Sequence, residues 1–100
     1  MKVDFNNKVV KDYQGHDAEL PNKEKQQVKD LVCKCLFVGG DGLSADEKYK
    51  AYKLHLKIRQ SEESVELKSE DISLIKKVCD KCISGAGGYG QIVDLLEGEE

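Results

Sequence analysis

The sequence predicts an α+β domain: an N-terminal β-hairpin or short meander over residues 1–20, followed by a bundle of three to four helices. Three observations lead there. Val3 and Phe5 alternate with Lys2, Asp4 and Asn6, the two-residue period of a strand with one buried face. Beyond Pro21 the apolar residues recur at helical spacing instead. Glycines or capping residues separate the successive apolar stripes.

In the N-terminal region Asn6-Asn7 is a turn signal, Lys8-Val9-Val10-Lys11 a second strand and Gln14-Gly15-His16-Asp17 a second turn. Asn22 is placed to cap a first helix over 22–38, whose stripe is Val28, Leu31, Val32, Cys35 and Leu36. Gly39-Gly40-Asp41-Gly42 ends it, because glycine adopts the left-handed conformation that closes a helix. Ser44-Ala45-Asp46-Glu47 has the spacing of a capping box and opens a second helix over 45–60. Ala51, Leu54 and Ile58, with Tyr52 and Leu56, give that helix a broad apolar side. After a charged break, Val65-Glu66-Leu67 reads as a short strand, and Ser69 as the cap of a third helix over 70–83. Its inner stripe is Ile72, Ile75, Cys79, Cys82 and Ile83. Ser84 to Gly90 reads as a glycine-rich joint, and a last helix over 90–97 carries Ile92, Val93, Leu95 and Leu96. The sequence shows no internal repeat. Short connections favour a single domain spanning 1–100.

Apolar residues make up 39% of the chain and charged residues 35%, which fits a folded domain with a heavily charged surface rather than a disordered chain. Sixteen Lys and Arg against nineteen Asp and Glu leave a net charge of −3, which argues against a nucleic-acid footprint spread over the whole domain. The N-terminus lacks the apolar run of a signal peptide, and no stretch has the length of a membrane helix. The expectation is therefore a cytoplasmic protein with free thiols and no membrane partner.

The four cysteines are the first candidates for chemistry. Cys79-Asp80-Lys81-Cys82 has zinc-knuckle spacing, but Cys33 and Cys35 lie about 200° apart around a helix, so both cannot face one metal. Core packing is the expected role, with no cofactor and no metal. Gly85-Ala86-Gly87-Gly88-Tyr89-Gly90 spells G-x-G-x-x-G, but a helix precedes it where a dinucleotide site needs a strand. As an exposed loop it offers Gly87, Gly88 and Tyr89 as partner contacts. The second helix carries Lys48, Lys50, Lys53, Lys57 and Arg59 interleaved with Tyr49 and Tyr52, a candidate nucleic-acid or partner face. Asp46, Glu47, Glu62 and Glu63 bracket it, as on an ordinary solvated face. His16 and His55 have no companions at triad spacing, and Glu97-Gly98-Glu99-Glu100 reads as a solvated end.

The segments Leu43-Ser44-Ala45-Asp46-Glu47-Lys48-Tyr49-Lys50-Ala51-Tyr52-Lys53-Leu54, Val65-Glu66-Leu67-Lys68-Ser69-Glu70-Asp71-Ile72-Ser73-Leu74-Ile75-Lys76 and Gln91-Ile92-Val93-Asp94-Leu95-Leu96-Glu97 carry a resemblance. In this order, behind a hairpin and a helix, they resemble small proteins of similar length encoded by tailed bacteriophages and prophages, most without an assigned function. The similarity covers nearly the whole chain, but its motifs are caps and stripes. It implies fold and brings no catalytic residues. The group has apolar or small residues where this chain has Cys35 and Cys79, which implies that those thiols pack. It also has a proline-containing stretch where this chain has the glycine joint.

Together these point to a non-enzymatic phage or prophage accessory protein in the bacterial host cytoplasm, bound to a protein partner. That partner would be a phage assembly component or a host factor. The alternative is a small nucleic-acid-binding protein using the basic helix 48–59.

Overall fold

A computed structural model of the chain describes residues 1–98, so Glu99 and Glu100 of the expected solvated end lie outside the described residues. The class is α+β, in the order β1 (Lys2–Val3), α1 (Val28–Val38), α2 (Ala45–Gln60), β2 (Val65–Glu66), α3 (Ser69–Cys82) and α4 (Ala86–Glu97). β1 pairs antiparallel with β2, Lys2 opposite Glu66 and Val3 opposite Val65. The N-terminal strand thus finds its partner beyond the first two helices, not in the next segment.

Residues 8–28 form a closed three-way meander. The Val10 N–H donates to the Gln26 carbonyl (2.9 Å), Gln26 to Ala18 (2.9 Å), and Ala18 back to Val10 (2.8 Å). An outer set repeats the pattern, Asp12 donating to His16 (2.8 Å), Leu20 to Glu24 (2.8 Å) and Val28 to Lys8 (2.9 Å). Each set advances by eight residues, and so do the three left-handed residues Asn7 (φ 56°), Gly15 (φ 83°) and Lys23 (φ 69°). The backbone therefore repeats three times where the side chains do not. At Gly15 and Lys23 the left-handed residue follows a tight turn, the three-residue hairpin solution. Side chains hold the turns as well: Asp4 accepts from the Asn6 N–H (2.9 Å), Asp12 from Gln14 (2.9 Å) and Asn22 from Glu24 (3.1 Å).

This arrangement explains why α1 starts at Val28 rather than at residue 22. Asn22 is spent on a turn, and residues 24–28 are bonded into the meander, so helix begins only where the ring ends. α4 differs in the other direction. It begins at Ala86, not residue 90, so Gly87, Gly88 and Gly90 are helical and the joint shrinks to Ser84 and Gly85. The third helix is shifted by one residue, with Lys68 flanking it and the Asp71 carboxylate accepting from the Lys68 N–H (3.0 Å).

One apolar core joins all elements, with Phe5, Leu36, Ile58, Leu67, Ile75, Ile92 and Leu96 fully enclosed. α1 packs on both α2 and α3, and α4 lies mainly on α3. With neighbours on two sides, α1 buries Cys33 as well as Val28, Val32, Cys35 and Leu36, while Leu31 is only half-buried. On α3 the inner face is Leu74, Ile75, Val78 and Cys79; Cys82 is exposed and Ile72 half-buried, one step around from the expected stripe. The Gln91 carboxamide on α4 fastens the meander to the helices: it accepts from the Lys11 N–H (2.8 Å) and donates to the Lys11 carbonyl (2.8 Å). No helix among the described residues is long and apolar enough to cross a membrane.

Candidate partner-binding face on α1 and α2

α2 starts with the capping box that its sequence spells. The Glu47 N–H donates to Ser44 Oγ (3.1 Å) and the Ser44 N–H to Glu47 Oε1 (3.0 Å). The Ser44 bond, followed by the Lys77 ammonium at 2.9 Å, holds the Glu47 carboxyl below its ordinary range.

From this start the helix turns about 100° per residue, and its five basic residues separate into two stripes. Lys48 and Arg59 fall on one edge with Tyr52 and His55, at spacings of four, three and four residues. Lys50, Lys53 and Lys57 fall on nearly the opposite edge, and Ala51, Leu54 and Ile58 enter the core between them. All five basic residues are exposed, but they lie on the two margins of the helix's solvent side rather than in one row. On the second edge, Lys57 donates to the Glu66 carbonyl (2.7 Å), and the Lys53 ammonium lies 5.5 Å from the Tyr49 ring centre.

The first edge meets the C-terminal turn of α1. His55 is 6% exposed, and the Phe37 ring stands edge-on to it with centroids 5.1 Å apart; the Tyr52 ring is tilted at 5.4 Å. His55 Nδ1 lies 2.7 Å from the Tyr52 carbonyl, which can only accept, so Nδ1 carries the proton. In the neutral ring Nε2 is then an acceptor. Among the described residues no enclosed side-chain nitrogen or oxygen lacks a partner. Nε2, with no bond among the described residues, is therefore not fully enclosed. The Cys33 thiol donates to the His55 carbonyl (3.7 Å), anchoring α2 to α1 behind the ring.

Against His55, Phe37 is 66% exposed and Tyr52 44%. Single exposed apolar residues are commonplace; a cluster of them around an ordered polar group is the composition of an interface centre. Lys48 and Arg59 rim it with positive charge.

The other candidates fall elsewhere. Gly87, Gly88 and Tyr89 form the first turns of α4, with Tyr89 half-buried against the core, so they are not an exposed loop. Cys35 and Cys79 are fully enclosed where α1 packs on α3. The Cys79 thiol hydrogen-bonded to Cys35, with burial added, pushes Cys35 far up. Burial and then the Cys35 bond push Cys82 up to about 11, and burial raises Cys33. Such thiols stay protonated at neutral pH, unlike nucleophiles or metal ligands. Among the described residues no group of His, Cys, Asp or Glu is placed to hold a metal ion.

Sequence reasoning missed Phe37 and His55. The available signal was two large apolar residues, off the stripe of their helix, just before a glycine break. No family model, curated protein or solved structure matches the chain.

Proposed function

We propose that the protein is a non-enzymatic accessory protein of a tailed phage or prophage, working in the host cytoplasm by binding a protein partner through the α1–α2 face. The observation that carries the binding role is the exposed Phe37 and Tyr52 rings grouped on the ordered His55 ring. Large aromatic anchors around a fixed polar group are the usual energetic centre of a protein interface. The rim of Lys48 and Arg59 favours a partner with acidic groups around an apolar centre, either an assembly component or a host protein. The phage setting rests on the resemblance described above. Nucleic-acid binding through Lys50, Lys53 and Lys57 is less well supported, because two of these three lysines are engaged within the fold and the net charge is −3.

The test is affinity capture from phage-infected bacteria with the parent protein, Phe37→Asp and Tyr52→Ala, with and without nuclease. A protein retained by the parent after nuclease, and bound about tenfold or more weakly by both folded variants, is the expected result. Retention indifferent to both variants removes the face from the reading. Material released by nuclease, with retention falling steeply as salt rises, favours the nucleic-acid alternative.

A further inference from the structure

The meander has a second, independent feature. Its first segment, residues 8–12, is bonded to the rest of the ring through Lys8, Val10 and Asp12. In an extended chain the N–H and C=O of alternate residues point to opposite edges. Val9 and Lys11 therefore face away from the ring, on one common edge. The Lys11 half of that edge is filled by the Gln91 carboxamide, which meets both backbone groups at 2.8 Å. The Val9 N–H and C=O have no partner among the described residues.

An open groove of about 510 Å³ runs along this edge between the meander and α4. Val9, Asn7 and Lys11 form one wall; Gln91, Asp94 and Leu95 form the other. The free donor and acceptor of Val9 thus face a space already bounded by a helix, one rung from a place where an amide group is bound. We propose that this groove is a docking site for a short extended peptide segment of a protein, which adds as a strand to the Val9 backbone and is stopped at one end by Gln91.

The chemistry selects this occupant. A donor and an acceptor on one residue of an extended edge are matched by the N–H and C=O of a single residue in another extended chain. Gln91 is the precedent within the molecule, since its carboxamide presents the same donor and acceptor pair as a peptide group. A simple anion would satisfy the N–H and repel the carbonyl. An aliphatic ligand would leave both groups dry and unpaired. Leu95, half-buried on the far wall, gives an apolar contact for a side chain of the added segment. The site is separate from the Phe37–His55 face, and the inference stands without that face's proposed role.

The experiment uses the full chain and a displayed library of random heptapeptides. In the free protein the Val9 amide should exchange with solvent freely, while those of Val10 and Lys11 are slowed. Enriched peptides should slow Val9 exchange by at least tenfold and shift its amide resonance. Val9→Pro, which removes a donor the fold does not use, should weaken those peptides at least tenfold. So should Asp94→Trp, which fills the groove from the opposite wall and keeps a test in hand if the proline variant fails to fold. A Val9 amide already as protected as that of Val10 overturns the proposal. So does a library that yields no binder, a binder indifferent to Asp94→Trp in the folded protein, or one whose footprint lies on Phe37 rather than Val9. Self-association that buries the Val9 edge also overturns it, by assigning the edge to a second copy of the chain.

Discussion

At the scale of single residues, the Ser44–Glu47 pair is a cap and nothing more reactive. Each side chain meets the other's backbone N–H, and the Lys77 ammonium neutralises the glutamate. His55, the only histidine on that helix, is turned to the Tyr52 carbonyl further along. Ser44→Ala should lower stability by about 0.5–2 kcal/mol, and Ser44→Asp should be close to neutral, because aspartate caps as well as serine. Denaturant melts measure both. The acid side gives a second readout. The carboxyl of Glu47 lies below its ordinary range in the folded state, first through the Ser44 backbone bond and then through Lys77. Its contribution is complete above the unfolded value, about pH 4.3, and is lost as the pH falls through the lower folded value. The stability gap between the parent and Glu47→Gln should therefore be constant near neutrality and close below about pH 4. A gap that widens on acidification contradicts this assignment.

At the scale of elements, α4 is the least expected helix. Three of its first five residues, Gly87, Gly88 and Gly90, are the poorest helix formers after proline. It forms because Ile92 and Leu96 are fully enclosed by the core, and because Gln91 is tied to Lys11. Burial of two large side chains outweighs the propensity deficit, each contributing about 1.5–3 kcal/mol. A Cβ at Gly87 or Gly90 would meet nothing within 4 Å, whereas one at Gly88 would sit 3.2 Å from Ile83 Cγ2. Gly87→Ala and Gly90→Ala should each stabilise the protein by about 0.5–1 kcal/mol. Gly88→Ala should gain less or lose, since Ile83 must shift. Thermal melts of the three single variants decide it, and an equal gain at all three would show that the Ile83 contact is slack.

At the scale of the whole molecule, α1 is the helix that joins α2 to α3. It is flanked by α2 and α3, and its cysteines report on both contacts. Cys33 faces the His55 carbonyl of α2, and the Cys35 thiol lies beside those of Cys79 and Cys82 on α3. Three thiols are buried and Cys82 alone is exposed. A neutral, water-soluble disulfide reagent should modify one thiol per native chain, slowly at neutral pH because Cys82 is pushed up to about 11, and faster as the pH rises toward that value. The other three should react only as fast as the chain unfolds. Cys82→Ser should abolish the early phase. Two or more thiols reacting quickly in native protein would mean that α1 parts from α2 or α3 far below global unfolding.

The sequence alone determined what short-range chemistry governs. The Ser44 capping box, the 45–60 helix and the strand character of Val3 and Val65 are each written within a few residues, because caps and periodicity act over one or two turns. The α+β class followed from these local signals. Tertiary structure decided whatever depends on a distant partner. Asn22 has the chemistry of a helix cap and of a turn, and the hydrogen-bonded ring of Val10, Ala18 and Gln26 selects the turn. The glycines from 87 to 90 look like a joint until core contacts at Ile92 and Leu96 draw them into a helix. Five basic residues on one helix look like one row until the core at Ala51, Leu54 and Ile58 fixes the exposed side and leaves them on its two margins. The aromatic face was illegible for the same reason: Phe37 and His55 lie 18 residues apart, and only the packing of α1 on α2 brings their rings to 5.1 Å.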